Sequence, residues 1–229
     1  IYLIQIRQKM IKLSEILTLD TLTFSTDIPK KHQDKMNNKT GTFKDLDVSQ
    51  FKASPPPRNS SAMTMKEMVS LDSYIMDKDT INKADDIHAY YSEFFDSVGE
   101  KYPKKEVDVL MNDTKPIIYE LKYHYNRPRP FQVAKALDLK FHSEPLKTAK
   151  TPSYPSGHSI QGVLVGKYLA AQYPKYSAEI MQIADDISKS RLAANVHFPS
   201  DSIFGEQIAV ALYLYMRNTA ELGMDKIGE

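Results

Sequence analysis

The 229-residue chain contains no cysteine and no tryptophan, only 8 glycines and 6 histidines, and almost no net charge. Without cysteine there can be no disulfide, thiolate nucleophile or cysteine-ligated zinc, and the redox compartment is left undetermined. With 30 lysines and arginines against 29 aspartates and glutamates, the formal charge is +1. That balance gives no general electrostatic reason to expect a nucleic acid or an anionic membrane as partner, so any anion site has to be local. The most apolar stretch, IAVALYLYM at 208–216, is about half as long as a bilayer-spanning helix and reads as buried core. The N-terminal stretch IYLIQIRQKMIKLSEILTLDTLTF interrupts its short apolar runs with Arg7, Lys9 and Lys12, and lacks the continuous segment of a signal peptide. Because the chain begins at Ile1, a removed leader stays open, and the compartment with it: periplasmic or secreted with a leader, cytoplasmic without one.

What remains is a chain of the length of one large domain, able to bury roughly 70 to 75% of its unfolded surface. Residues 25–50 are polar and lysine-rich without sustained periodicity, and read as an extended or loosely held arm rather than core. The expected division is an N-terminal extension at 1–51 and a helical domain at 52–229, beginning where Pro55, Pro56 and Pro57 force an extended segment. Ser60 or Ser61 then caps a helix near Thr64. Met65, Met68, Val69, Leu71, Tyr74 and Ile75 recur at helical spacing, as do Ile87, Tyr90, Tyr91, Phe94 and Phe95. Further helices are expected near 105–126, 158–173, 176–193 and 201–217. Strand signals are nearly absent, so the fold class expected is all-α, a helical bundle.

Three segments concentrate residues suited to holding an oxyanion. In KYHYNRPRPF (122–131), Lys122 and Arg129 lie seven apart, which on a helix is two turns and one face; Arg127 falls on another face. Pro128 and Pro130 end the helix there, placing Arg129 at a terminus with its guanidinium fork available to a tetrahedral anion. In PSYPSGHSIQGVLVGKYLA (152–170), Ser156 and Gly157 form a tight turn into an apolar helix, whose free N–H groups and positive dipole end make an anion site. His158 stands where it can donate a proton to whatever leaves that anion. In SRLAANVHFPSD (190–201), a helix ends with Arg191, a loop carries His197, and Ser200 caps a helix that opens with Asp201. Asp201 accepts the Nδ1 proton of His197 and leaves Nε2 aimed at an electrophile, which makes His197 a candidate nucleophile.

Together these blocks resemble the three-part pattern of the phosphatidic acid phosphatase type 2 superfamily, which includes bacterial class A non-specific acid phosphatases and vanadium haloperoxidases. The matching residues are Lys122, Arg129 and Pro130; Pro155, Ser156, Gly157 and His158; and Ser190, Arg191, His197 and Asp201. With each residue type at about 5% by composition, these positions in the correct order leave coincidence a poor explanation. The resemblance spans roughly residues 52–217 and implies an all-α bundle of the acid phosphatase and haloperoxidase type.

The resemblance also implies a metal-independent acid phosphatase acting on small phosphate monoesters. Lys122, Arg129 and Arg191, with Ser156 and the Gly157 N–H, would hold the nonbridging oxygens. His197 would form a phosphohistidine, Asp201 would orient it, and His158 would protonate the leaving alkoxide. No metal and no cofactor are expected, since the three cations do the charge neutralisation that divalent ions do elsewhere; vanadate enters as an inhibitor. The rate is expected to be bell-shaped with an acidic optimum if His158 is not strongly raised. The alternatives are a vanadium-dependent haloperoxidase, in which vanadate is the cofactor, and a non-catalytic phosphatase-like component of an assembly. Such an assembly, or a homo-oligomer, would form through the N-terminal arm. His32, His88, His124 and His142 match no motif position and read as surface or packing residues, although His124 and Tyr125 are close enough in sequence to line the pocket.

Overall fold

The computed structural model describes residues 13–225. The interrupted apolar runs of the N-terminus lie outside the described residues up to position 12. Among the described residues there are ten α-helices, four short 3-10 turns and no strand. In chain order they are α1 (Leu13–Thr21), α2 (Lys30–Asn37), α3 (Ala62–Ser70), α4 (Lys78–Ala84), α5 (Ile87–Ser97), α6 (Lys104–Tyr125), α7 (Pro130–Ala136), α8 (Gly157–Gln172), α9 (Ser177–Ala193) and α10 (Pro199–Asp225). No helix among the described residues is long and apolar enough to cross a membrane.

Helix α8 is the axis of the bundle, packed against α9 and α10, with Ile160, Val163, Leu164, Val165 and Leu169 buried. The close approach of α8 and α9 needs the absence of a side chain at Gly162, where an added Cβ would lie 2.8 Å from Ile187 Cγ2. Tyr91 on α5 donates its buried hydroxyl proton to the carbonyl of the same Gly162 at 2.9 Å. Aspartates start the short helices: Asp77 accepts from Thr80 N and Asp86 from Ala89 N, each satisfying an orphan N–H of the first turn.

Three expectations change in detail. Ser61 does cap the first domain helix, accepting from Thr64 N, but that helix stops at Ser70 and a 3-10 turn follows; Ile75, placed in the apolar stripe by spacing, is 92% exposed. The hydroxyls of Ser70 and Ser73 bond back to Glu67 O and Ser70 O, offering the backbone an alternative to further α-helix. The stretch at 208–216 is amphipathic rather than buried throughout, with Ile208, Ala209 and Leu212 inside while Val210 and Leu214 face out. The polar segment at 25–50 contributes to the main core, because Phe43, Leu46 and Val48 are buried in it. Its few apolar side chains are spaced for 3-10 turns rather than for a long helix, which hid them from the periodicity.

Candidate active site

The chain between α6 and α7 decides where the first cations point. Helix α6 ends at Tyr125, and Asn126 takes a left-handed conformation (φ 47°) that its N–H bond to Lys122 O closes. Pro128 and Pro130 then hold their predecessors out of the helical region, and Arg129 becomes the residue before α7 rather than the end of α6. The two-turn helical reasoning for Lys122 and Arg129 is therefore wrong in route. They still meet, because the left-handed corner swings the chain back over the helix it has just left.

Lys122, Arg129, Gly157, His158, Arg191 and His197 line one cavity of about 170 Å³, together with Ile118, Tyr119 and Thr151. Lys122, Arg129, Arg191 and His197 are each at most 4% exposed. Arg129 is held by main-chain oxygens, donating from Nε to Thr151 O (2.9 Å) and from Nη1 to Val196 O (2.7 Å); that Nη1 also stands 3.3 Å from His197 Nε2. Lys122 Nζ donates to Pro152 O. Arg191, in the last turn of α9, bonds Asp85 Oδ1 at 2.9 Å and Thr148 Oγ1 at 3.1 Å, while its buried Nε has no hydrogen-bond partner among the described residues.

Ser156 is placed differently from the expectation. Its hydroxyl accepts from Ser159 N (3.3 Å) and Ser159 Oγ (2.9 Å) as the cap of α8, and it is absent from the cavity wall. A helix beginning at Gly157 needs that cap, and capping turns the side chain toward the helix axis rather than the cavity. Gly157 does line the wall: a Cβ there would lie 3.3 Å from Ile118 Cγ2 and 3.6 Å from Lys122 Cε. Ser200 is likewise not the cap of α10. Pro199 opens that helix, and Asp201 in its first turn reaches back to accept from Phe198 N at 2.9 Å.

His197 Nδ1 lies 3.1 Å from Asp201 Oδ2, which also accepts from Ser153 Oγ. A carboxylate can only accept, so the imidazole proton sits on Nδ1 and Nε2 is left bare toward Arg129. Burial, and then the Arg129 guanidinium, hold His197 well below the usual histidine range, so the ring is neutral. Burial raises the Asp201 carboxyl, but Arg127 and the His197 hydrogen bond outweigh it and keep the group ionised, below its ordinary value.

Arg127, which the sequence reading set on another face, is at the back of this arrangement. Its buried guanidinium bonds Asp201 Oδ1 (2.6 Å), Glu67 Oε2 (3.0 Å) and Ser200 Oγ (2.8 Å), and it stacks 4.0 Å over the Phe198 ring. Glu67 also accepts from Ser200 N at 2.6 Å. Sequence reasoning missed Glu67, Asp85, Thr148 and Ser153 altogether. The available signals were a carboxylate beside the apolar stripe of α3 and a serine inside the 152–158 block. His124 is exposed and lies outside the cavity wall, as does Tyr125, whose hydroxyl donates to Phe51 O. His32 is a packing residue, stacked on Tyr119 at 4.3 Å.

The cluster sets four cations, Lys122, Arg127, Arg129 and Arg191, against three carboxylates, Glu67, Asp85 and Asp201. Burial and the neighbouring Arg191 push Arg129 down to about 9; burial and Arg129 push Lys122 well below its usual value. Cations that depress one another in this way favour an anion between them. His158, half-buried with Nε2 3.3 Å from Asp85 O, is pushed down to about 3 by burial and then by Arg191.

The family model of the PAP2 superfamily matches residues 111–221, which carry every residue of the cavity motif. Residues 111–221 belong to the PAP2 superfamily. No curated protein matches the chain in sequence. Among solved structures it resembles one described as the first bacterial vanadium-dependent iodoperoxidase, at 16% identity and a TM-score of 0.58 over 90% of the chain. The chain spans 64% of that protein's length, and the likeness is one of fold.

Proposed function

We propose that this PAP2 chain is a phosphoric monoester hydrolase working through a phosphohistidine. The observation that carries the reading is the bare Nε2 of His197, fixed by Asp201 from behind and facing a cavity walled by Lys122, Arg129 and Arg191. Membership in a superfamily made up largely of phosphatases supports it.

A phosphoryl group in the cavity brings its nonbridging oxygens to Lys122, Arg129, Arg191 and the Gly157 N–H, with the buried Arg191 Nε gaining an acceptor. The Nε2 lone pair attacks phosphorus as the bond to the leaving oxygen breaks, and that oxygen takes a proton from His158. Water then attacks the phosphohistidine, gives a proton back to His158, and the P–N bond breaks to release phosphate. Because His158 is neutral in the free protein down to about pH 3, its proton has to arrive with the substrate. A phosphate monoester has a second pKa near ~6, so its monoanion brings that proton, and the acidic optimum follows from substrate protonation.

The test is hydrolysis of p-nitrophenyl phosphate with a chelator present, from acidic to mildly alkaline pH, comparing the unmodified chain with His197→Ala. Expected is turnover that is unaffected by the chelator, competed by vanadate, and reduced at least ~10⁴-fold by the substitution. A rate that keeps climbing into the alkaline range, or an active His197→Ala, would overturn the assignment.

A second reading has one observation in its favour, the fold shared with a vanadium-dependent iodoperoxidase. The donor set fits vanadate: Lys122, Arg129 and Arg191 would hold its oxygens and His197 Nε2 its metal. Bound vanadate would supply the activation of peroxide. Iodide oxidation with vanadate and peroxide, in a chain that hydrolyses no ester, would select it. A folded protein that binds phosphate and performs neither reaction would point instead to a structural or binding role in an assembly.

A further inference from the structure

Helix α2 is among the most polar segments of the chain (KKHQDKMN), and its only buried residue is His32. That histidine fastens the helix to α6: its ring stacks on Tyr119 at 4.3 Å, and Nδ1 is 2.7 Å from the Tyr123 hydroxyl. Tyr119 is itself part of the phosphate cavity wall, so the anchor fixes α2 at the rim. The helix lies outside the segment, residues 111–221, that the superfamily model matches.

The anchoring carries Lys31 and Lys35 to a second hollow of about 370 Å³, whose wall also includes Asp34, Asn38 and Lys115. Lys115 lines both hollows, so the second opens beside the phosphate cavity. Lys35 Nζ stands 5.9 Å over the Tyr119 ring. The neighbouring Lys39 and Lys52 differ in having an ion-pair partner, since both share Glu120 on α6. Lys31, Lys35 and Lys115 form no ion pair among the described residues, and Asp34 is the lone carboxylate in that hollow. Lys115 is partly desolvated, and burial followed by repulsion from Lys35 lowers its pKa. Lys115 Nζ donates to the neutral Asn112 Oδ1, so its charge stays uncompensated; in a chain of net charge +1, three lysines without an ion-pair partner beside an oxyanion cavity are a local excess with a direction.

We infer that Lys31, Lys35 and Lys115 form an accessory anion subsite, and that the favoured substrates are small phosphate compounds carrying a second anionic group, such as a bisphosphate. The inference rests on the proposed phosphatase reading. The scissile phosphoryl group occupies the inner cavity, and the second anion leans on the α2 rim, where exposed ammonium groups act as point charges on flexible stems.

The experiment uses the full chain and a Lys31→Gln/Lys35→Gln double variant, whose substitutions are exposed and outside the catalytic cavity. Propanediol monophosphate, propanediol bisphosphate and p-nitrophenyl phosphate are compared by kcat/KM. Two exposed charge contacts correspond to a loss of about tenfold for the bisphosphate, with the other two substrates changed less than ~twofold. Binding of inorganic pyrophosphate and phosphate by calorimetry is measured in parallel. The wild type should favour pyrophosphate, and the double variant should lose that preference. Equal changes for all substrates, or none, would overturn the subsite even if hydrolysis is normal. Absence of all hydrolysis would sink the phosphatase reading, and the calorimetry would then decide the subsite alone. Binding of the wild type to anionic lipid vesicles, lost in the double variant, without discrimination between the two phosphates, would also overturn it and assign the lysines to a membrane surface.

Discussion

Arg127→Met is expected to be among the most damaging single substitutions in this chain that leave the cavity wall untouched. The guanidinium is 2% exposed and is the shared partner of two carboxylates: Asp201, fully buried, and Glu67, 7% exposed. Removing it leaves both without their cation, and breaking one side of a buried charge network costs about 3–5 kcal/mol. For a domain of this length a loss of 1 kcal/mol lowers Tm by about 2–4 °C, so the expected drop is about 6–20 °C. Part of the charge returns in Arg127→Lys, which cannot serve Asp201, Glu67 and Ser200 from one planar fork, and should fall between the two. Asp201 loses the charge that most lowers its pKa and no longer holds the His197 proton firmly on Nδ1. Turnover of p-nitrophenyl phosphate should therefore fall about 10²-fold or more, even at temperatures where the variant is folded. The assay is thermal unfolding at neutral pH followed by kinetics well below the midpoint. A variant within ~1 kcal/mol of the unmodified chain, with unchanged kcat, would refute the claim that Arg127 holds the nucleophile's support in place.

Acid should destabilise the fold below about pH 6.5. His158 and His197 stay neutral in the fold while the unfolded chain binds their protons, so stability is full above 6.5 and is lost as pH falls toward about 3. The limiting slope from these two groups is about 2–3 kcal/mol per pH unit, measurable by denaturant titration at several pH values, and a flat profile from 6.5 to 4.5 would contradict it. Phosphate at about 100 times its Kd should add about 2.7 kcal/mol and raise Tm by about 5–10 °C, and Arg129→Met should abolish the increment while differing in its own Tm. Gly157→Ala places a methyl against Ile118 and the Lys122 stem, so KM for a monoester should rise about three- to tenfold while stability changes by less than ~1 kcal/mol; an unchanged KM would mean that the phosphoryl group does not approach that backbone.

Much of the site was legible because its residues come in short local blocks. Gly157 and His158 open a helix, and His197 and Asp201 share one loop and first turn, so spacing alone brings these near each other. Helix bounds at 104–125, 157–172 and 177–193 followed from apolar periodicity within a residue of the expected ends. Reading Lys122 and Arg129 as one helical face reached the correct meeting by an incorrect path, since nothing in periodicity announces a left-handed corner at Asn126. Ser156 shows the opposite failure: its motif position is correct, yet the local demand for a helix cap governs its hydroxyl.

The helical class, the order of the three blocks and the candidates for nucleophile and anion-holding cations were readable from the chain, because periodicity and neighbours a few residues away carry them. Which charges answer which is a matter of packing. Arg127 meets Glu67 and Asp201, respectively 60 and 74 residues away in the chain, and Arg191 meets Asp85 at a separation of 106. Such pairings are set by how α3, the α4–α5 corner, α9 and α10 are packed around α8. Burial in turn fixes their strength: it lowers the His197 pKa directly, and in the dry interior the attraction of Arg127 is strong enough to keep Asp201 ionised against the desolvation that burial imposes.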